Sequence, residues 1–133
     1  MSTFHFQPIH GQARQILEAI LKSPEVASCP RKVAVALRLA CEEIVVNVTS
    51  YTYPEGIDGF LDIVIHKNDH ITIRFEDGGV HFNPLEQGNP DTELSWKKRR
   101  IGGLGIFLLR RRMDDVRYAY ENHKNVLTIE KII

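Results

Sequence analysis

Excess charge of either sign is missing from this sequence: 17 Lys and Arg are matched by 17 Asp and Glu, for a formal net charge of zero. Bulk attraction to nucleic acid or to an acidic membrane is excluded on that ground, because no surplus of cations exists to release counterions from a phosphate surface. Any anion site has to be a local cluster. Cysteine is equally sparse. Cys29 and Cys41 are the two present, with no paired Cys or His at ligand spacing, so neither a zinc site nor a disulfide framework is suggested. No stretch approaches the roughly 18 apolar residues of a membrane-spanning helix. The opening MSTFHFQPIH lacks the basic and apolar regions of a secretory signal. A soluble, cytoplasmic protein is the expectation, and in that setting the glycosylation match at Asn47-Val48-Thr49 is accidental.

Repeats and low-complexity linkers are absent too, so the chain reads as a single domain, 1–133. At 43% hydrophobic and 26% charged residues it carries enough apolar surface for a core. Thr3 to Phe6 is a short strand candidate. His10 to Lys22 places Ile16, Leu17, Ile20 and Leu21 at helical spacing, and Ser23-Pro24 stops that helix. A second helix begins near Pro30, carries Val33, Leu37, Ala40, Cys41, Ile44, Val45 and Val48 at steps of three and four, and is closed by Pro54 and Gly56. From Phe60 to Glu76 the period changes to two, with Lys67-Asn68-Asp69 as the turn of a hairpin. After a long polar loop, Ile106 to Met113 reads as a third helix. Val116 to Tyr120 and Val126 to Ile132 then close a second hairpin around Glu121 to Asn125. This pattern predicts an α+β two-layer sandwich: a mixed, mostly antiparallel sheet with about three helices on one face.

Three features carry candidate chemistry. Glu43 and Asn47 are four apart on the second helix, so they share a face, and Ala36 and Ala40 extend that face with small residues that leave room for a ligand. Taken alone, the pair is more simply the boundary of an amphipathic helix. Asp77-Gly78-Gly79-Val80-His81-Phe82-Asn83-Pro84 follows a strand. Its plain reading is a strand-ending turn. Its functional reading has the Asp77 carboxylate accept a hydrogen bond from an exocyclic amine, while Gly79 lets the backbone approach a flat base. Gly102-Gly103-Leu104-Gly105 opens the third helix behind Lys97-Lys98-Arg99-Arg100. Unpaired N–H groups at such a helix start suit a polyphosphate, and the basic run supplies the local positive charge. Neither a P-loop nor a dinucleotide fingerprint is present, since no Lys-Ser/Thr follows the glycines and the third glycine is lacking.

In this order, EEIVVN, DGGVHFNP and GGLGIFLLRRRMDDVRYAYENHKNVLTIEK resemble the boxes of the GHKL-type (Bergerat) ATP-binding fold. Within it the chain is most similar to the anti-sigma-factor serine/threonine kinases of the RsbW type, over nearly its whole length. The resemblance implies ATP and Mg²⁺, with Asn47 on the metal, Glu43 as general base, and Asp77 on the adenine amino group. It implies close approach at Gly79, with Thr128 supporting Asp77 through a water. Phosphate would be met by Gly102, Gly103, Leu104 and Gly105, and by Arg99 or Arg100, with Pro84 to Ile101 as the ATP lid. Two positions depart from the family: Tyr51 stands where members often have His, and Ile101 where an Arg is common. The implied partners are a sigma factor and a STAS-domain antagonist that the kinase phosphorylates, so that sigma-factor availability is set by partner switching. Homodimerisation is common in the family, although no interface is legible here. The alternative is a non-catalytic ATP-binding module that sequesters a protein partner. A free-standing histidine-kinase catalytic domain fits poorly, because no helix pair with a phosphoacceptor His is present.

Overall fold

The computed structural model describes residues 1–54, 56–81, 83, 85 and 109–133. Its elements run β1 (Ser2–Phe6), α1 (Ala13–Lys22), α2 (Pro24–Ala27), α3 (Arg31–Tyr51), β2 (Leu61–Lys67), β3 (His70–Asp77), β4 (Asp115–Glu121) and β5 (Lys124–Ile132). A helical turn at 109–112 precedes β4.

The helices follow from apolar spacing. In α1, Ile16 and Ile20 lie one turn apart and are both fully buried. Ser23 and Pro24 end this helix, and they also start α2, which the apolar pattern did not anticipate. The Ser23 hydroxyl donates to the Ile20 carbonyl at 2.6 Å and accepts from the Val26 N–H at 3.4 Å, with Pro24 in the first turn where its missing N–H costs nothing. In α3 the buried stripe Val33, Leu37, Ala40, Cys41, Ile44, Val45, Val48 faces the core. Burial pushes the Cys41 thiol up to about 12, so it packs as a small hydrophobe.

Among the described residues the sheet has five strands, in the order β1-β2-β3-β5-β4. Every described pairing is antiparallel, without the parallel pair that a mixed sheet would contain. Period-two alternation buries Leu61, Ile63, Ile65, Ile71, Ile73 and Phe75 against the helices at 1% exposure or less. The opposite face carries polar pairs, among them Arg74 with Glu76 at 3.3 Å and Arg117 with Asp115 and Glu130. β5 lies inside the sheet, between β3 and β4. No described helix is long and apolar enough to cross a membrane.

The β4–β5 hairpin closes more tightly than the five-residue loop read from the sequence. Glu121 pairs with Lys124, leaving Asn122 and His123 as the turn, both with positive φ, 53° and 62°. This is the backbone of a type I′ turn, in which Asn is tolerated and Gly preferred. His123 is strained there by its Cβ. Replacing His123 with Gly is expected to stabilise the fold by about 0.5–1 kcal/mol, read as a raised thermal or urea midpoint, whereas His123→Val is expected to lower it.

Candidate functional site

Asp77, the last residue of β3, points to the helix side of the sheet and is only 4% exposed. An ionised carboxylate in such a place needs donors. Its Oδ1 accepts from the Gly79 N–H at 2.9 Å and from Asn125 Nδ2 at 3.0 Å. Oδ2 has no partner among the described residues. Burial pushes the Asp77 pKa up from the usual 3.8, opposed by the hydrogen bonds from Asn125 and Gly79.

The chain after Asp77 is stitched to the end of α3. The Gly78 N–H donates to the Tyr53 hydroxyl at 2.7 Å, and the Val80 N–H donates to the Thr52 carbonyl at 2.9 Å. Tyr53 is a junction: its hydroxyl also donates to the Phe60 carbonyl at 2.7 Å and accepts from the Phe60 N–H at 3.1 Å. The glycines here answer to packing. A Cβ on Gly79 would lie 2.2 Å from the Thr52 carbonyl oxygen, and one on Gly78 2.8 Å from the Phe60 ring. The close approach expected at Gly79 is thus, first of all, to the protein's own helix end. Beyond it, His81 stacks on Tyr120 of β4 at 4.1 Å between ring centroids and on Tyr118 at 6.2 Å.

Glu43 and Asn47 lie on one face of α3, as their spacing requires, and both are half-buried. Neither has a hydrogen-bond partner among the described residues, so carboxylate and amide are both available to a ligand. The helix that carries them is the one whose C-terminal end holds the Asp77 loop.

Thr128 has to be corrected. It pairs with Arg74 on β3 and Arg117 on β4, whereas Asp77 pairs with Asn125. Strand parity therefore sends the Thr128 side chain to the face opposite Asp77, where no single water can link them. The residue that supports Asp77 is Asn125, 5% exposed, which also donates to the Val80 carbonyl at 2.9 Å and accepts from the Tyr118 hydroxyl. A parity signal existed: Thr128 is flanked by Leu127 and Ile129, and Asn125 shares their side. Tyr53 gave no pattern to find, since its role arises only when three segments meet. Arg99, Arg100, Gly102, Gly103, Leu104 and Gly105 lie outside the described residues, as does the lid segment Pro84 to Ile101 except for Leu85.

A family model described as "histidine kinase-like ATPase domain" matches residues 8–131. Over 106 residues the chain is 30% identical to the serine-protein kinase RsbW of Listeria innocua, covering 72% of this chain and 64% of that protein. The namesake from Listeria monocytogenes is 29% identical over 101 residues, with the same coverage. That from Oceanobacillus iheyensis is 33% identical over 86 residues, covering 61% of this chain and 54% of its own length. The chain thus spans less than two thirds of the length of these relatives.

The raised pKa of Asp77 has a measurable sign. Between 3.8 and the raised value the folded state holds more protons than the unfolded one, so the carboxylate weakens the fold as pH climbs through that window. Asp77→Asn, which keeps the Oδ1 acceptor and removes the charge, is expected to be more stable than the parent at pH 7. The gain should shrink as pH falls toward 3.8, in urea denaturation at pH 7 and pH 4. A less stable variant at pH 7 would contradict the assignment.

Proposed function

The chain belongs to the histidine kinase-like ATPase domain family, and on that footing we propose that it binds ATP at Asp77 and transfers the terminal phosphoryl group to a serine or threonine of a partner protein. One observation carries this reading: a buried carboxylate with one oxygen taking two hydrogen bonds and the other without a partner among the described residues. An open acceptor in an apolar setting suits the exocyclic amine of adenine. The half-buried Asn47 offers an amide oxygen for Mg²⁺. One neutral oxygen does not hold this ion alone, but it fits an ion whose remaining ligands are phosphates and waters. When bound, MgATP supplies the phosphoryl group and the charge neutralisation that the transfer needs. Glu43, one turn before Asn47, would take the proton of the attacking hydroxyl. The lid Pro84 to Ile101, with Arg99 or Arg100, and the Gly102-Gly103-Leu104-Gly105 helix start would meet the phosphates.

The name serine-protein kinase on the relatives supports hydroxyl phosphorylation. The resemblance in the three boxes supports the finer reading: an anti-sigma factor acting in the cytoplasm, which binds a sigma factor and phosphorylates a STAS-domain antagonist, functioning as a homodimer.

Asp77→Asn is expected to lower ATP affinity about 10- to 100-fold, the worth of a hydrogen bond to a charged group, measured by calorimetry with MgATP. Glu43→Ala is expected to keep ATP affinity and to lose about 100-fold or more of phosphoryl transfer to the antagonist. Full transfer by Glu43→Ala would remove it as the base. ATP binding by the parent with no transfer in any partner mixture would leave a module that sequesters its partner without catalysis.

A further inference from the structure

Asn125 sits directly across from Asp77 in the β3–β5 register and is almost wholly buried. Its amide has one workable orientation. Nδ2 carries two hydrogens, and two acceptors meet them: Asp77 Oδ1 at 3.0 Å and the Val80 carbonyl at 2.9 Å. The Gly79 carbonyl lies at 3.5 Å on the same side. On the other side, Oδ1 accepts from the Tyr118 hydroxyl. A flipped amide would set its oxygen against two carbonyls and a carboxylate, which can only accept. Tyr118 and the loop carbonyls thus lock a donor onto Asp77. The Gly79 N–H supplies a second donor to the same oxygen, so a proton on Oδ1 would have no acceptor.

We propose that Asn125, oriented by Tyr118, is a positioning residue that keeps Asp77 an ionised acceptor and thereby selects a 6-aminopurine over a 6-oxopurine nucleotide. This inference rests on the reading that a nucleobase meets Asp77. An ionised Oδ2 accepts from an exocyclic amine and repels a 6-oxo oxygen, whereas a protonated Oδ2 donates and welcomes the oxo base. Burial works against the ionised form, and the Asn125 amide works for it. Among the described residues, the other groups around Asp77 are few. The Tyr53 hydroxyl comes from the end of α3, its own pKa raised by burial and in part by the charges of Asp77 and Asp62. Tyr118 of β4 reaches Asp77 through Asn125, and β2 sets Leu61 across from it. No charged side chain among the described residues adds to the shift of Asp77.

The test titrates the binding of MgATP and MgGTP by calorimetry from pH 5 to pH 8, in the parent and in Asn125→Asp, Tyr118→Phe and Asp77→Asn. Asn125→Asp keeps the shape and the acceptor for Tyr118 but removes the donor and places a second carboxyl beside Asp77. The pH at which half the ATP affinity is lost should rise by about one unit or more. The preference for ATP over GTP at pH 7 should fall about tenfold or more. Tyr118→Phe should move both quantities in the same direction by less. A folded Asn125→Asp with the parent's pH profile and preference overturns the inference. If that variant does not fold, an unchanged profile in Tyr118→Phe does so. The underlying reading fails separately, in ATP affinity that Asp77→Asn leaves untouched.

Discussion

A carboxylate kept out of water at the end of β3 governs the arrangement around it. Removing Asp77 from solvent is unfavourable unless donors replace the lost hydration, and the surrounding chain is arranged to provide them. The sheet register brings Asn125 opposite. The turn after the strand folds the Gly79 N–H back onto the same oxygen. That turn can lie flat only because Gly79 has no Cβ to meet the Thr52 carbonyl. Tyr53 then ties the turn, the end of α3 and the approach to β2 into one hydrogen-bonded junction. Each of these contacts is modest. Together they hold one carboxylate oxygen between two donors, while the other has no partner among the described residues.

Most of the fold was legible in the sequence because period alone distinguishes its parts. The stripe from Val33 to Val48 could only be a buried helix face, and the alternation from Leu61 to Phe75 could only be a hairpin with one covered side. The short α2 escaped because four residues carry no periodic signal; its sole mark was a Ser-Pro pair that ends one helix and begins the next. The site divided in the same way. The positions of Glu43 and Asn47 on one helix face, and of Asp77 at a strand end, were readable from local spacing. The support for Asp77 was misplaced on Thr128, three residues from its true location at Asn125, since an odd shift along a strand reverses the face. Val126 blurred the alternation that would have exposed the error. Tyr53 belongs to no local pattern, and only packing reveals it.

The two faces of the sheet do different work. On the helix side, side chains at 1% exposure or less supply the burial that stabilises the domain. On the other, Arg74 with Glu76, and Arg117 with Asp115 and Glu130, are partly exposed ion pairs that contribute little energy apiece, beside a hydrogen bond between His5 and Asp62. They do keep a broad sheet surface from being apolar. The overall charge balance of the sequence is thus also a local one, with opposite charges paired across neighbouring positions.

The place of β5 inside the sheet has a consequence for how the molecule comes into being. Asp77 and Asn125 are 48 residues apart along the chain, and the strand that brings Asn125 to β3 is synthesised after the other four described strands. Until it arrives, β3 presents a bare edge of hydrogen-bonding groups next to Ile71, Ile73 and Phe75, the kind of edge that invites pairing with other chains. At a synthesis rate of roughly 5–20 residues per second the nascent chain stays in that condition for several seconds. Insertion of β5 is therefore one event with two outcomes: it covers the open edge of β3 and brings Asn125 to the Asp77 carboxylate, so a chain that has not finished folding leaves that buried acid without its side-chain donor.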